Sequence, residues 1–245
     1  MKIKLEIRYV GTAYHGWQIQ ENGATVQGVL QDAVKKRYGG EFSLTGCSRT
    51  DAGVHANSFI CTIECKDDWR IPCAAIPFAL NCILPDDIAV VSAEYCGDDF
   101  HPRYSSLGKE YKYVMYDSAH KDPFYKDRGW HVVHRLDVDA MNKGGEYIVG
   151  THNFSAFCAS GSTVEDKTRT VYSCKAEREG DRVIITVSGN GFLYNMVRII
   201  AGTLYMVGCG KLEPSDVGEI IKGLDRKKAG MTAPAGGLYL NRVLY

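Results

Sequence analysis

The side chain with the clearest chemical potential is Asp51, in the segment G-C-S-R-T-D-A-G-V-H-A at residues 46–56. Arg49 precedes it by two residues and Gly53 follows it by two, and a polar, glycine-flanked segment is typical of a turn. A neighbouring positive charge favours the ionised carboxylate, which is the form that a nucleophile or general base requires. Taken alone, however, an aspartate before Ala-Gly more often forms an Asx turn with its own backbone.

The segment around Asp51 resembles the signature of the tRNA pseudouridine synthase A family. Further motifs of that family follow in order along the chain, at residues 14–18, 25–27, 80–81, 84–88, 100–104, 109–113, 150–154, 192–198 and 233–238. Each motif is weak by itself, but the ordered set is specific. Ser48 stands where the family usually has glycine, so a small residue is kept.

The resemblance implies roles for individual residues. It makes Asp51 the catalytic residue, pairs it with Arg198, and gives Arg49 the task of filling the space of a flipped nucleotide. It implies that Tyr111 and Leu238 bind the target uracil. It also implies tRNA contacts for two segments, which comprise Phe100, His101, Pro102, Arg103 and Tyr104, and Cys158, Ala159, Ser160, Gly161 and Ser162.

The residue types alone leave other interpretations open. Arg198 lies in an otherwise apolar helical stretch, where an arginine can reach past its neighbours to solvent. If it is buried instead, it needs an anionic partner, because an unpaired buried charge is costly. Tyr111 and Tyr113 share one face of a strand and could both be core aromatics. We expect a structural role for His55, because no hydrolase motif places a serine or cysteine nucleophile beside it.

Alternation and breaker residues predict an α+β fold. The first half shows strands at 2–9, 42–46, 58–65 and 88–96 and helices at 26–38 and 71–83, the ferredoxin-like βαββαβ order. The second half repeats that order, with strands at 109–116, 170–178, 182–188 and 238–244 and helices at 137–149, 194–207 and 214–223. We therefore predict two tandem ferredoxin- or RRM-like halves, residues 1–104 with the Asp51 loop and residues 105–245. The resemblance implies that the two halves share one continuous antiparallel sheet with helices on one face. It also implies that the active-site cleft lies between the halves.

Composition narrows the function class. The chain has 29 basic and 29 acidic residues and no net charge, which argues against a non-specific nucleic-acid binder but allows local basic surfaces. Such clusters occur at 103, 109 and 112, at 167 and 169, and at 226–228. The nine cysteines include no C-x-x-C pair, so we expect no metal site. The absence of a long apolar run argues against a membrane span. Residues 1–9 alternate between polar and apolar types instead of forming a signal-peptide apolar block, so we expect a cytoplasmic protein.

The resemblance implies an isomerase that converts uridine to pseudouridine at positions 38, 39 and 40 of the tRNA anticodon stem-loop. It implies a homodimer and no cofactor, and three roles for Asp51 stay open: attack on ribose C1′, addition to uracil C6, or abstraction of a ribose proton. The alternatives are a non-catalytic tandem RRM-like protein, which would not need Asp51, Arg49 and Arg198 together, and a metal-dependent nuclease, which would need several carboxylates.

Overall fold

In the computed structural model, the described residues, 1–66 and 72–245, form two compact units. The first comprises Met1–Leu107 together with Tyr239–Tyr245, and the second comprises Gly108–Leu238. The sequence assigns the last strand to the second half, whereas the structure places nearly all of it in the first unit. The reason is a parallel pairing of Tyr239 with His55, a long-range contact that local patterns do not reveal.

The first unit has the predicted βαββαβ order. Its elements are β1 (Lys2–Tyr9), α1 (Val26–Tyr38), β2 (Phe42–Gly46), β3 (His55–Cys65), α2 (Ile76–Asn81) and β4 (Ile88–Tyr95), followed by β10 (Leu238–Leu244) from the end of the chain. β1 lies between β4 and β3 and is antiparallel to both. β2 and β10 pair with opposite ends of β3, β2 antiparallel and β10 parallel.

Local sequence explains these elements. β1 alternates between buried and more exposed positions, as a strand with one face on a core requires. α1 begins where the Thr25 side chain accepts a hydrogen bond from the Gly28 amide, the N-cap predicted for it. On β3, the thiols of Cys61 and Cys65 are buried on the same side as Phe59, which confirms their interpretation as small core side chains.

Two boundaries in the first unit differ from prediction. β3 begins at His55, three residues before the predicted start at 58. The helix predicted at 71–83 is shorter: a 3-10 turn at Cys73–Ala75 leads into α2, where a proline occupies the first turn. Residue 71, the predicted start of that helix, lies outside the described residues.

The second unit consists of β5 (Gly108–Asp117), β6 (Trp130–Val132), α3 (Val138–Glu146), β7 (Gly150–Asn153), β8 (Thr168–Glu179), β9 (Arg182–Gly189), α4 (Met196–Gly208) and α5 (Asp216–Gly223). The antiparallel order is β5-β9-β8-β7, and β6 runs parallel to β5. Helix α3 packs against β8 and α4 against β5. The sequence does not predict β6 and β7, because three or four residues are too few to show an alternation.

The fold class is α+β, as predicted. The described residues contain ten strands, mostly in antiparallel pairs, and five α-helices. None of the helices in these residues has the length and apolar character needed to cross a membrane.

Candidate active site

Asp51 lies on the turn that connects β2 to β3 in the first unit. The residue itself is half-buried, whereas Thr50 before it and Val54 after it are buried. The Val54 amide donates to the Asp51 carbonyl at 3.2 Å and closes the turn. Asp51 is therefore accessible from outside, while Thr50 and Val54 belong to the core.

The turn is held by the chain segment that follows β1. The Trp17 amide donates to the Thr50 carbonyl, and the Gly53 amide donates to the Tyr14 carbonyl, both at 3.2 Å. At the far end of the turn, Nδ1 of His55 accepts a hydrogen bond from the Gly11 amide at 2.9 Å. These three bonds fix the backbone on both sides of Asp51.

His55 has the structural role predicted for it. Its side chain is buried, its Nδ1 is used by the Gly11 amide, and its ring lies 4.7 Å from that of Tyr239 on the paired strand β10. Because Nδ1 accepts the hydrogen bond from the Gly11 amide, this nitrogen carries no proton.

Among the other predicted residues of the first unit, Arg49, Arg103 and Tyr104 are exposed. Arg49 is exposed two residues before Asp51. In the 100–104 segment, Nδ1 of His101 accepts hydrogen bonds from the amides of Arg103 and Tyr104, at 3.1 and 3.3 Å. The Arg103 guanidinium lies 5.6 Å from the centre of the Tyr104 ring, which is 75% exposed. An exposed aromatic ring beside a cation is suited to contact a nucleotide.

Phe100 and Pro102, from the same segment, anchor it to the unit. The Phe100 ring lies 5.1 Å from the ring of Tyr245, and the Tyr245 hydroxyl donates to the Pro102 carbonyl at 2.7 Å. The Lys4 ammonium lies 5.5 Å from the Phe100 ring. Phe100 and Pro102 therefore attach to the first unit the segment that carries the exposed Arg103 and Tyr104.

Arg198 lies in the first turn of α4 in the second unit, where it is half-buried. Its Nε donates to the Ala233 carbonyl and its Nη1 donates to Oδ1 of Asn195, both at 2.7 Å. Asn195 itself has the left-handed conformation, with φ of 58°. The guanidinium is thus oriented by protein acceptors, which does not support the interpretation that it merely extends into solvent.

The tyrosines of β5 have different environments. Tyr113 is fully buried, and its hydroxyl donates to the Pro234 carbonyl at 2.8 Å. Burial raises the pKa of Tyr113, with the positive charge of Arg198 opposing the shift. Tyr111, 7% exposed, meets Phe192 edge-to-face with 5.2 Å between ring centres. Tyr113 is thus a core aromatic, while Leu238, predicted to act with Tyr111, is also buried.

The 158–162 segment lies next to the start of α4. The Ala159 amide donates to the Tyr194 carbonyl at 3.1 Å, one residue before Asn195. Cys158 is buried, whereas Ser160 and Gly161 are exposed and Ser162 is half-buried. Ser160 and Gly161 are the members of this predicted tRNA-contacting segment with the most accessible surface.

A second carboxylate, Asp117 at the end of β5, escapes prediction from sequence. Its side chain is 0% exposed and accepts two hydrogen bonds from Arg178, at 2.7 and 2.6 Å, one from Arg135 at 3.4 Å and one from the Leu136 amide at 2.9 Å. Burial by itself would raise the pKa of Asp117, but the bonds from Arg178 and Leu136 outweigh it and hold the pKa below its ordinary value. No local motif surrounds Asp117, because its partners come from distant parts of the chain.

The described residues contain no group of three or more histidine, cysteine, aspartate or glutamate side chains placed to hold a metal ion. The predicted site residues, taken unit by unit, include a carboxylate, guanidinium groups and aromatic rings. These are also the groups that bind and orient an RNA nucleotide.

Comparison with known proteins identifies the family. A family model described as tRNA pseudouridine synthase matches residues 7–105 and 146–245. The chain belongs to the tRNA pseudouridine synthase family.

Individual relatives cover the chain from end to end. A tRNA pseudouridine synthase A from Thermoanaerobacter sp. (strain X514) is 47% identical over 243 residues, 99% of each chain. Proteins with the same description from Ruminiclostridium cellulolyticum and Acetivibrio thermocellus are 49% identical over 245 residues and 44% identical over 243 residues. They cover 100% and 99% of this chain, and 99% of each relative.

This family membership establishes the class of reaction. The enzyme is an isomerase, and its reaction is the pseudouridylation of tRNA. Residues 106–145, with Tyr111 among them, lie outside the two ranges that the family model matches, but the full-length relatives include them.

Proposed function

We propose that this synthase converts uridine to pseudouridine at positions 38, 39 and 40 of the tRNA anticodon stem-loop. In the reaction the bond between uracil N1 and ribose C1′ breaks, the uracil rotates, and its C5 bonds to C1′. N1 gains a proton and C5 releases one to solvent. The atoms balance without an oxidant, a reductant or a nucleotide cofactor.

Asp51 carries the chemistry in this proposal. The observation that supports this role is its half-buried position on a turn whose backbone is fixed on both sides. A reacting carboxylate must reach the substrate and must also keep one orientation. Attack on C1′, addition to C6 and abstraction of a ribose proton all require the ionised carboxylate, so each is compatible with this arrangement.

The remaining predicted residues assist Asp51. We assign Arg198 as the ion-pair partner of Asp51, and its fixed guanidinium geometry in the second unit supports that role. Tyr111 and Leu238 provide apolar surface for the uracil. Arg49, which is exposed next to the catalytic turn, takes the space that the target nucleotide leaves when it flips.

Recognition of the tRNA rests on shape and backbone rather than on base edges, because three neighbouring positions are accepted. The 100–104 segment supplies an exposed cation and an exposed ring, and the 158–162 segment supplies exposed backbone and hydroxyl groups. A chain without net charge can bind RNA in this way when its basic side chains are grouped locally.

We further infer from the family resemblance that the enzyme works as a homodimer in the cytoplasm, with each tRNA contacted by both subunits. Mixing inactive Asp51→Asn protein with protein defective in tRNA binding tests the shared contact. Partial recovery of turnover in the mixture supports it, and the absence of recovery at every mixing ratio contradicts it.

Release of tritium from tRNA labelled at uridine C5 tests the proposed reaction, because a binding protein or a nuclease releases none. A matched substrate has cytidine at positions 38, 39 and 40 and labelled uridine elsewhere. We expect one equivalent of release per accepted uridine in the first tRNA and none in the second. Equal release from both would contradict the proposed positions while leaving the reaction class intact.

A further inference from the structure

The segment between β1 and α1 contains a motif, residues 14–18, to which the catalytic proposal gives no task. This segment and the end of β1 surround the Asp51 turn. Two backbone hydrogen bonds, from the Trp17 amide and to the Tyr14 carbonyl, join this segment to the turn. The two segments also approach each other so closely that two positions have no room for a side chain. The motif is therefore part of the support of the turn.

Two glycines make this approach possible. A Cβ atom on Gly16 would lie 2.1 Å from the Thr50 carbonyl oxygen and 3.1 Å from the Asp51 carbonyl carbon, and its φ of +86° is one that other residues rarely adopt. A Cβ atom on Gly11 would lie 1.9 Å from the Val54 carbonyl oxygen. Both distances below 3 Å are sterically forbidden, so the segment and the turn are closely fitted on either side of Asp51.

One side-chain hydrogen bond completes the support. The hydroxyl groups of Tyr9, the last residue of β1, and Thr50, the residue before Asp51, are 2.9 Å apart. Both residues are buried, with 3% and 8% of their surfaces exposed. A buried hydroxyl without a partner is costly, so this bond ties the residue next to Asp51 to the central strand β1.

We propose that Tyr9 and Thr50 are positioning residues for Asp51. Their hydrogen bond fixes the conformation of Thr50. Through the peptide bond that follows, it also fixes the direction in which the Asp51 carboxylate points. The inference rests on the proposed catalytic role of Asp51. It makes the Tyr9–Thr50 bond a determinant of turnover rather than of tRNA binding, because neither hydroxyl is accessible to a substrate.

The test is a double-mutant cycle. Tyr9→Phe and Thr50→Val each remove one hydroxyl with little change in shape, and Thr50→Ser keeps it. We expect each of the first two variants to lower kcat about tenfold or more, since a small misplacement of a reacting group is expensive, while KM stays within about twofold. The double variant should lose no more than either single variant, because both remove one shared interaction.

Thr50→Ser should restore most of the turnover, which a loss of packing alone would not explain. Ser188→Ala is a matched control, since it breaks a hydroxyl–hydroxyl bond to Ser173 of 2.7 Å in the second unit; its kcat should equal that of the wild type. If Thr50→Val does not fold, Thr50→Ala removes the same hydroxyl from a smaller side chain.

Asp51→Ala, assayed alongside, distinguishes a failure of the positioning roles of Tyr9 and Thr50 from a failure of the catalytic role of Asp51. Wild-type kcat in both Tyr9→Phe and Thr50→Val, with Asp51→Ala inactive, would overturn the positioning roles alone. Activity in Asp51→Ala would overturn the proposed catalytic role of Asp51, on which the positioning roles depend. Effects on KM without an effect on kcat would also contradict positioning.

Discussion

The enzyme contains two aspartates with opposite environments, Asp51 and Asp117. The Asp117 side chain is inaccessible and receives its hydrogen bonds directly, two from Arg178, one from Arg135 and one from the Leu136 amide. Asp51 is half-buried, and the bonds that fix its turn are made by its neighbours, through the backbone of Thr50 and Gly53. The Asp117 carboxylate is fully buried among its partners, whereas Asp51 is half-buried on a turn whose backbone is held in place.

The difference shows how the same functional group serves stability in one place and chemistry in another. A carboxylate that is fully buried among an arginine and an amide stabilises the fold, but a substrate cannot reach it. Support through the backbone orients a carboxylate and leaves its surface reachable. Burial and a shifted pKa alone would have selected Asp117 as the functional residue, so accessibility decides between the two.

The largest effect should come from lengthening the reacting side chain. Asp51→Glu keeps the charge but moves the carboxylate by one methylene, and we expect turnover to fall about a hundredfold because the fixed turn cannot compensate. Affinity for tRNA should stay within about twofold to threefold, a difference well below the 1.4 kcal/mol that corresponds to one decade. Single-turnover rates and filter-binding titrations measure both. Wild-type rates in Asp51→Glu would show that the orientation of this carboxylate is not limiting.

Asp117→Asn should act on stability instead. Loss of a charged hydrogen-bonding partner should lower the free energy of unfolding by about 2 kcal/mol near neutral pH. Because the pKa of Asp117 is lower in the folded state, its contribution is complete above the ordinary value of 3.8 and disappears as the pH falls through the folded-state value. Denaturant unfolding at several pH values should thus show the wild type and the variant converging in acid. A difference that does not depend on pH would contradict the electrostatic explanation.

A smaller effect is expected at the surface of the first unit. Arg103→Gln should weaken tRNA binding and reduce the slope of log affinity against log salt concentration by about one, as the loss of one phosphate contact does. Lys222→Gln on α5 is the control, because Lys222 pairs with Glu219 in the second unit. An unchanged slope in Arg103→Gln would remove this arginine from the phosphate contacts.

Much of the fold could be predicted from the sequence because it depends on local patterns. Alternation gave β1 and β2 with their observed limits, and the N-cap Thr25 gave the start of α1. Long-range pairing was not predictable in this way. The parallel contact of β10 with β3 depends on a partner far away in the chain, and β6 and β7 are too short to show an alternation.

The candidate site also divides into residues that a local motif reveals and residues whose role depends on long-range contacts. Asp51 could be selected because its neighbours form a recognisable continuous motif, and that motif led to the family before any geometry was known. Tyr9, by contrast, is an ordinary strand residue in sequence, and its bond to Thr50 crosses 41 positions of the chain. Asp117 was missed for the same reason, since Arg178 and Leu136 are distant in sequence.

The most direct test of the central claim compares the two asparagine variants in one assay. Tritium release from C5-labelled tRNA would be measured under single-turnover conditions with excess Asp51→Asn or Asp117→Asn enzyme, at a temperature where circular dichroism shows both to be folded. We predict that Asp51→Asn loses at least about a hundredfold in rate, as expected for the removal of a catalytic acid–base or nucleophilic group, while Asp117→Asn releases tritium at the wild-type rate. Release by Asp51→Asn within tenfold of wild type, or a greater loss in Asp117→Asn, would contradict the assignment of Asp51 as the reacting carboxylate.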